Sequence, residues 1–217
     1  MSLVFSDLSY LRTTGLTSAP LMTHDKTVFF RCKFTTLGTI QGIVNFTDRT
    51  AFAYQFGIAS GQFRMWAFGG TPYVAYTPEL NKWLDICYTY SATNSPIASL
   101  YENGVLKSTS NTAFTIPGTI SEAQFGGNQW AEYGRSFSIE DVRLYNRALT
   151  ANEVQELSIN QGASESLMHG LVYWWPLDDS SNERQLNLTS SVVLGSGGTA
   201  PSISDHICKT HPRGKRF

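Results

Sequence analysis

The stretch Ser138–Leu157 constrains this chain more than any other. It reads as an alternating strand that runs straight into a capped helix. Strict alternation puts Ile139, Asp141, Arg143 and Tyr145 on one face and Glu140, Val142 and Leu144 on the other. Thr150 then suits an N-cap, with Glu153 three residues on as its capping-box partner. Leu149 before the cap and Val154 at the fourth helical position form a hydrophobic staple.

The rest of the chain is mostly strand-like. Thr27–Phe34, Ile43–Phe46, Phe52–Ala59, Gln62–Phe68, Tyr73–Tyr76, Trp83–Tyr90, Ala98–Glu102, Val105–Lys107, Ala123–Phe125 and Arg135–Tyr145 are predicted strands. Ser60-Gly61 and Asn103-Gly104 are two-residue hairpin signals between them. One helix, Ala151–Ile159, is expected. With 41% hydrophobic and 13% aromatic residues in 217, the chain can bury a sizeable core. Short, regularly spaced strands with turn signals give an all-β, antiparallel sandwich.

Three segments resemble the laminin-G-like, concanavalin A-like jelly rolls. The run DVRLYNRALTANEV, within Ile139–Leu157, is similar to that family's closing strand and short helix. Trp83–Tyr90 resembles its central W-x-H strand, with Asp85 where His is usual. Ser99–Lys107, SLYENGVLK, resembles its L-Y-x-N-G hairpin. The resemblance covers residues 10–160 and implies a two-sheet jelly roll. It also implies a structural role for Asp141, paired with Arg143, Arg147 or backbone at the corner between sheet and helix. Tyr145, Thr150 and Glu153 belong to the same structural set. Function is left open, because such sandwiches host lectins, glycosidases, adhesion modules and viral structural proteins.

Residues 1–162 are therefore expected to form the sandwich. Residues 163–217 are expected to form a C-terminal extension with one or two strands and a basic tail. Gly162-Ala163-Ser164 reads as a linker. Leu171–Leu177, LVYWWPL, resembles the opening of a laminin-G-like repeat, and Leu186–Leu194 could add one more strand. Lys209, Arg213, Lys215 and Arg216 make the end basic.

Several function classes find little support. The net charge is -1, so the molecule as a whole does not attract nucleic acid or an anionic membrane. No stretch approaches the ~20 apolar residues of a membrane helix. The opening MSLVFSDLSYLRTTG lacks a positive segment and a long apolar run, so it does not read as a signal peptide. Cys32 and Cys87 sit in apolar strands and read as buried thiols, with a bridge between adjacent strands as the alternative; the third, Cys208, leaves an odd count. There is no G-x-S-x-G elbow, phosphate loop or zinc spacing. His24, His169, His206 and His211 lie in loop-like or terminal sequence. Glycoside hydrolysis needs two facing carboxylates. No E-x-D-x-x-E occurs, and alternation sends the adjacent Glu140 and Asp141 to opposite faces.

Binding chemistry has more candidates. Trp66, Tyr73, Tyr76, Trp130 and Tyr133 could stack on the apolar C–H faces of sugars. Trp130 and Tyr133 lie in GGNQWAEYG, which suits a protein-contact loop equally well. No cofactor is expected. Calcium is the one metal left open, through Asp48, Asp178 and Asp179, with Asn103 a further oxygen donor; turn-forming Asp bonding its own backbone is the competing reading. The expected role is a non-catalytic structural or binding module. Its favoured place is a virion surface, as a phage capsid decoration or tail component reached after cytoplasmic synthesis. The expected partners are other subunits, in a homo-oligomer among the options. A glycan-binding lectin-like domain is the alternative role and the cytoplasm the alternative location.

Overall fold

Alternation builds two sheets, and the register between them decides which side chains meet. The computed structural model describes residues 2–5, 11–16, 24–38, 40–47, 52–66, 74–113, 120–126, 137–160, 164–177, 193–194 and 202–204. In chain order the elements are β1 (Ser2–Phe5), β2 (Leu11–Thr14), β3 (Lys26–Phe34), β4 (Ile40–Thr47), β5 (Phe52–Ala59), β6 (Gln62–Trp66), β7 (Ala75–Tyr76), β8 (Trp83–Tyr90), β9 (Ala98–Glu102), β10 (Val105–Ser110), β11 (Glu122–Phe125), β12 (Phe137–Tyr145), α1 (Ala151–Asn160), α2 (Glu165–Met168), β13 (Leu171–Trp175), β14 (Val193–Leu194) and β15 (Ser202–Ser204).

An eight-stranded sheet runs β10-β9-β8-β3-β12-β1-β15, with β13 also on β12. A seven-stranded sheet runs β14-β2-β11-β4-β5-β6-β7. Every pairing is antiparallel. The expected sandwich is thus the fold. Its shared core lies between the sheets: Val28, Phe30, Cys32 and Phe34 of β3 face Phe56, Ile58, Phe63 and Met65 of the other sheet. Ring pairs lock this layer, among them Phe30–Phe56 at 5.5 Å and Phe56–Tyr88 at 5.7 Å, both edge-to-face.

Both predicted hairpin turns form. Ser60 and Gly61 have φ of 52° and 73°, and Asn103 and Gly104 have 51° and 78°, the doubly positive pattern of a tight hairpin. Gly104 has a second reason to be glycine. A Cβ there would sit 3.0 Å from the Gln155 Cα of α1.

The strand β12 departs from the predicted alternation. Glu140 stands opposite Arg31 and Arg143 opposite Phe29. Between these pairs Phe30 of β3 faces both Asp141 and Val142 of β12, which makes a bulge. Asp141 carries the irregularity at φ 54°, a conformation that Asp tolerates better than most residues. After the bulge Val142 and Leu144 point between the sheets with Ile139. Glu140, Asp141, Arg143 and Tyr145 then share the outer face. The expectation that Glu140 and Asp141 point to opposite faces is wrong for this reason.

The bulge falls where two strands meet end to end. β1 pairs with Phe137–Ile139 and β13 with Val142–Tyr145, both on the same edge of β12. The Asp141 N–H donates to the Pro176 carbonyl at 2.9 Å. Residues after the expected boundary at 162 also enter the core: Trp175 is fully buried against Phe125 at 5.4 Å and Phe46 at 6.3 Å. Cys32 and Cys87 are buried free thiols. Cys32 lies between the sheets and Cys87 on the outer face, so the strand-to-strand bridge is not made.

On that outer face α1 and α2 cover one end of the eight-stranded sheet. Phe29, Cys87, Tyr101 and Tyr145 meet Leu149, Val154, Leu157 and Leu167 there. The capping box forms: Glu153 N–H donates to Thr150 Oγ1 at 3.3 Å, and Thr150 N–H to Glu153 Oε2 at 2.8 Å.

Candidate functional site

The two sheets present outer faces of different chemistry. On the eight-stranded sheet, beyond the helices, register sets Asp85, Arg31 and Glu140 in one row across β8, β3 and β12. Arg31 Nε lies 3.6 Å from Asp85 Oδ1 and 3.5 Å from Glu140 Oε1. Burial pushes the Asp85 carboxyl up to about 6, with Arg31 pulling it back and Asp141 adding to the rise. Burial also raises Glu140, against the pull of Arg31. In the next row Arg143 donates twice to Asp141, at 2.7 and 2.8 Å, and Trp174 Nε1 donates to the same carboxylate at 2.7 Å. The Arg143 guanidinium stacks 4.6 Å from the Trp174 ring. Arg147 bonds Glu153, the His169 carbonyl and the Ser166 carbonyl, tying α1 to α2. The guanidinium of Arg147 holds Glu153 down to about 2. Asp85, Glu140, Asp141 and Glu153 each lie beside an arginine, while Arg31 Nε and Asp85 Oδ1 make no hydrogen bond.

The seven-stranded sheet carries amides instead. Register sets Gln124 of β11 opposite Asn45 of β4, Asn45 opposite Gln55 of β5, and Gln55 opposite Trp66 of β6. A neighbouring row runs Thr14, Glu122 and Thr47. Alternation turns these side chains away from the core, because Val44, Phe46, Phe56, Met65, Ala123 and Phe125 fill the inner positions. Asn45 and Gln124 have 0% exposure and Glu122 has 3%. Gln124 Nε2 donates to Glu122 Oε2 at 3.5 Å. Gln124 Oε1 and Gln55 Nε2 are shielded from water and make no hydrogen bond. On β6 Gln62 and Arg64 share the Trp66 side, and Arg64 donates to Gln62 at 3.1 Å.

The predicted site residues separate accordingly. Trp66 closes the amide row. Tyr76 packs instead on Phe63 at 5.9 Å, at the edge of the layer between the sheets. It is no surface platform, because its strand turns that ring inward. Asn103 uses its side chain on backbone: its Oδ1 accepts from the Asp85 N–H at 2.9 Å. Tyr73, Trp130, Tyr133, Asp48, Asp178 and Asp179 lie outside the described residues. Among the described residues, no group of three or more His, Cys, Asp or Glu is placed to hold a metal ion. No helix there is long and apolar enough to cross a membrane. The sequence reading passed over Asn45, Gln55 and Gln124, although each is an uncharged polar residue between apolar or aromatic neighbours.

The profile of the concanavalin A-like lectin/glucanase superfamily matches residues 9–155. The chain belongs to that superfamily. No curated protein sequence matches it. Similar solved structures share the fold at low identity. The native heptameric SAP-like pentraxin of Limulus polyphemus is 17% identical over 72% of this chain and 81% of its own, with a TM-score of 0.56. A Bacteroides ovatus protein, described as a candidate carbohydrate-binding protein, is 16% identical over 94% of this chain and 62% of its own, at 0.58. The receptor binding domain of botulinum neurotoxin D is 13% identical over 74% of this chain, at 0.58; this chain covers 44% of it.

Proposed function

We propose that this superfamily member is a non-catalytic binding module that takes a carbohydrate on the outer face of its seven-stranded sheet. One observation carries the reading. Gln124 Oε1 is a buried acceptor without a donor, in a row of amides that ends on Trp66. Leaving such an acceptor unmet costs about 1–3 kcal/mol. A ligand hydroxyl that donates to it removes that cost, and the indole three strands away at the other end of the row suits the apolar face of a sugar ring. The carboxylates of the opposite sheet support the non-catalytic part. Asp85, Glu140 and Asp141 are held by Arg31 and Arg143. Of the two expected roles, the amide row favours the glycan-binding one over a purely structural one.

A glycan array read with the full chain and with Trp66→Ala tests this. Binding to a defined set of glycans, weakened about tenfold or more by the substitution, is the expected result. Array binding that Trp66→Ala leaves unchanged would remove this face as the site.

A further inference from the structure

We infer that the amide row selects a neutral, hydroxyl-rich glycan segment and does so without a metal ion. This rests on the carbohydrate reading above and narrows it. Its basis is the fixed orientation of Gln124. The Gln124 amide nitrogen donates to Glu122 Oε2 at 3.5 Å, which sets which way the amide is turned. That leaves Oε1 as the buried atom without a donor, and a ligand that reached it would have to supply one. On the next strands Gln55 Nε2 requires an acceptor. A sugar hydroxyl both donates and accepts, so a run of hydroxyls can serve both positions. A carboxylate or sulfate offers acceptors only and meets Gln124 Oε1 with like polarity. An ammonium offers donors only and leaves Gln55 unserved.

Length follows from the sheet. Gln124, Asn45, Gln55 and Trp66 stand on four consecutive strands, which spans about 14 Å at the usual spacing between strands. That is longer than one pyranose ring, so the row fits a short unbranched chain of rings lying across the strands. Three of the four positions, Gln124, Asn45 and Gln55, carry amides, whose hydrogen bonding does not depend on a cation.

The test is calorimetric titration of the full chain with neutral oligosaccharides (cello-, xylo- and manno-oligosaccharides of three to six rings) and with oligogalacturonates of equal length. Each titration is run in calcium and in EDTA. The inference expects a neutral series to bind with dissociation constants equal within about twofold in calcium and EDTA. It expects the oligogalacturonates to bind at least tenfold more weakly. In Glu122→Gln, which frees Gln124 to turn, that gap should shrink several-fold. Tighter binding of the acidic series, or loss of binding in EDTA, would overturn the inference while leaving the carbohydrate reading intact. Absence of binding to every sugar in both series would instead overturn the carbohydrate reading and the inference with it.

Discussion

The outer faces of the two sheets are built from the same alternation, yet they use polar groups in opposite ways. On the eight-stranded sheet, charges meet charges: Arg31 lies between Asp85 and Glu140, and Arg143 grips Asp141 with Trp174 alongside. On the seven-stranded sheet, amides stand side by side, and buried atoms among them, such as Gln55 Nε2 and Gln124 Oε1, have no hydrogen bond. Charges paired within the chain leave little for a ligand, although Arg31 Nε and Asp85 Oδ1 lack a hydrogen bond. Amides with unmet atoms cost stability and keep their hydrogen bonding for something else. The first face should therefore report in unfolding experiments and the second in binding experiments.

The largest effect belongs to Asp141→Ala. Arg143 is only 3% exposed, and the substitution removes both of its carboxylate bonds. A buried charge without its partner costs about 3–5 kcal/mol. Alanine also tolerates φ 54° less well than aspartate. Asp141→Asn keeps the backbone preference and an acceptor for Trp174, so it should cost about 2 kcal/mol. Urea unfolding followed by tryptophan fluorescence distinguishes them. If both variants unfold at the wild-type midpoint, the charged face does not hold the fold.

Asp141 also shows where sequence reading stops. The Thr150–Glu153 cap and the Asn103-Gly104 hairpin are local, and each residue needed for them lies within a few positions. The superfamily fold was legible from such segments. The bulge was not, because it exists only in the register between β12 and β3, one extra residue on one strand. β1, β2, β15 and α2 were missed for another reason: each is only four residues or fewer. The amide row needed register as well. Asn45, Gln55, Trp66 and Gln124 come from four strands, and only pairing brings them into line. A shared signal was nonetheless present, in that Asn or Gln stood at an outward position of three strands.

A smaller effect of opposite sign is expected at Asp85. Its folded pKa of about 6 lies above the ordinary 3.8. The native state therefore holds the proton more tightly than the unfolded chain does. Wild-type stability falls as pH rises from about 4 through 6, and the penalty is complete above that. Asp85→Asn keeps the neutral form at every pH. It should unfold like wild type near pH 4 and be more stable by up to about 3 kcal/mol at pH 8. A variant less stable than wild type at pH 8 would show that the pairing with Arg31 outweighs the burial of the carboxylate.

Glu153 sharpens the contrast within the charged region, because it is partly open to water. Its pKa is lowered to about 2 by Arg147, with the Thr150 bonds helping. A depressed carboxylate contributes stability above its unfolded value, near 4.5, and loses it as pH falls toward 2. Glu153→Gln should cost less than about 1 kcal/mol at pH 7 after solvent screening. The gap from wild type should close by pH 2. A gap that stays constant across this range would assign the contribution to hydrogen bonding alone.

The smallest expected change in stability is at Gln124, and it carries the comparison furthest. Gln124→Met fills a similar volume and removes the buried acceptor that has no donor, along with one 3.5 Å bond to Glu122. The gain and the loss oppose each other, so stability should stay within about 1 kcal/mol of wild type. Affinity for a bound glycan should fall about tenfold or more, since the ligand hydroxyl loses its acceptor. Unfolding and titration on the same preparation separate the two outcomes. If Gln124→Met lost as much stability as Asp141→Ala while keeping its affinity, the amides would be structural like the ion pairs, and the division of labour between the two faces would fail.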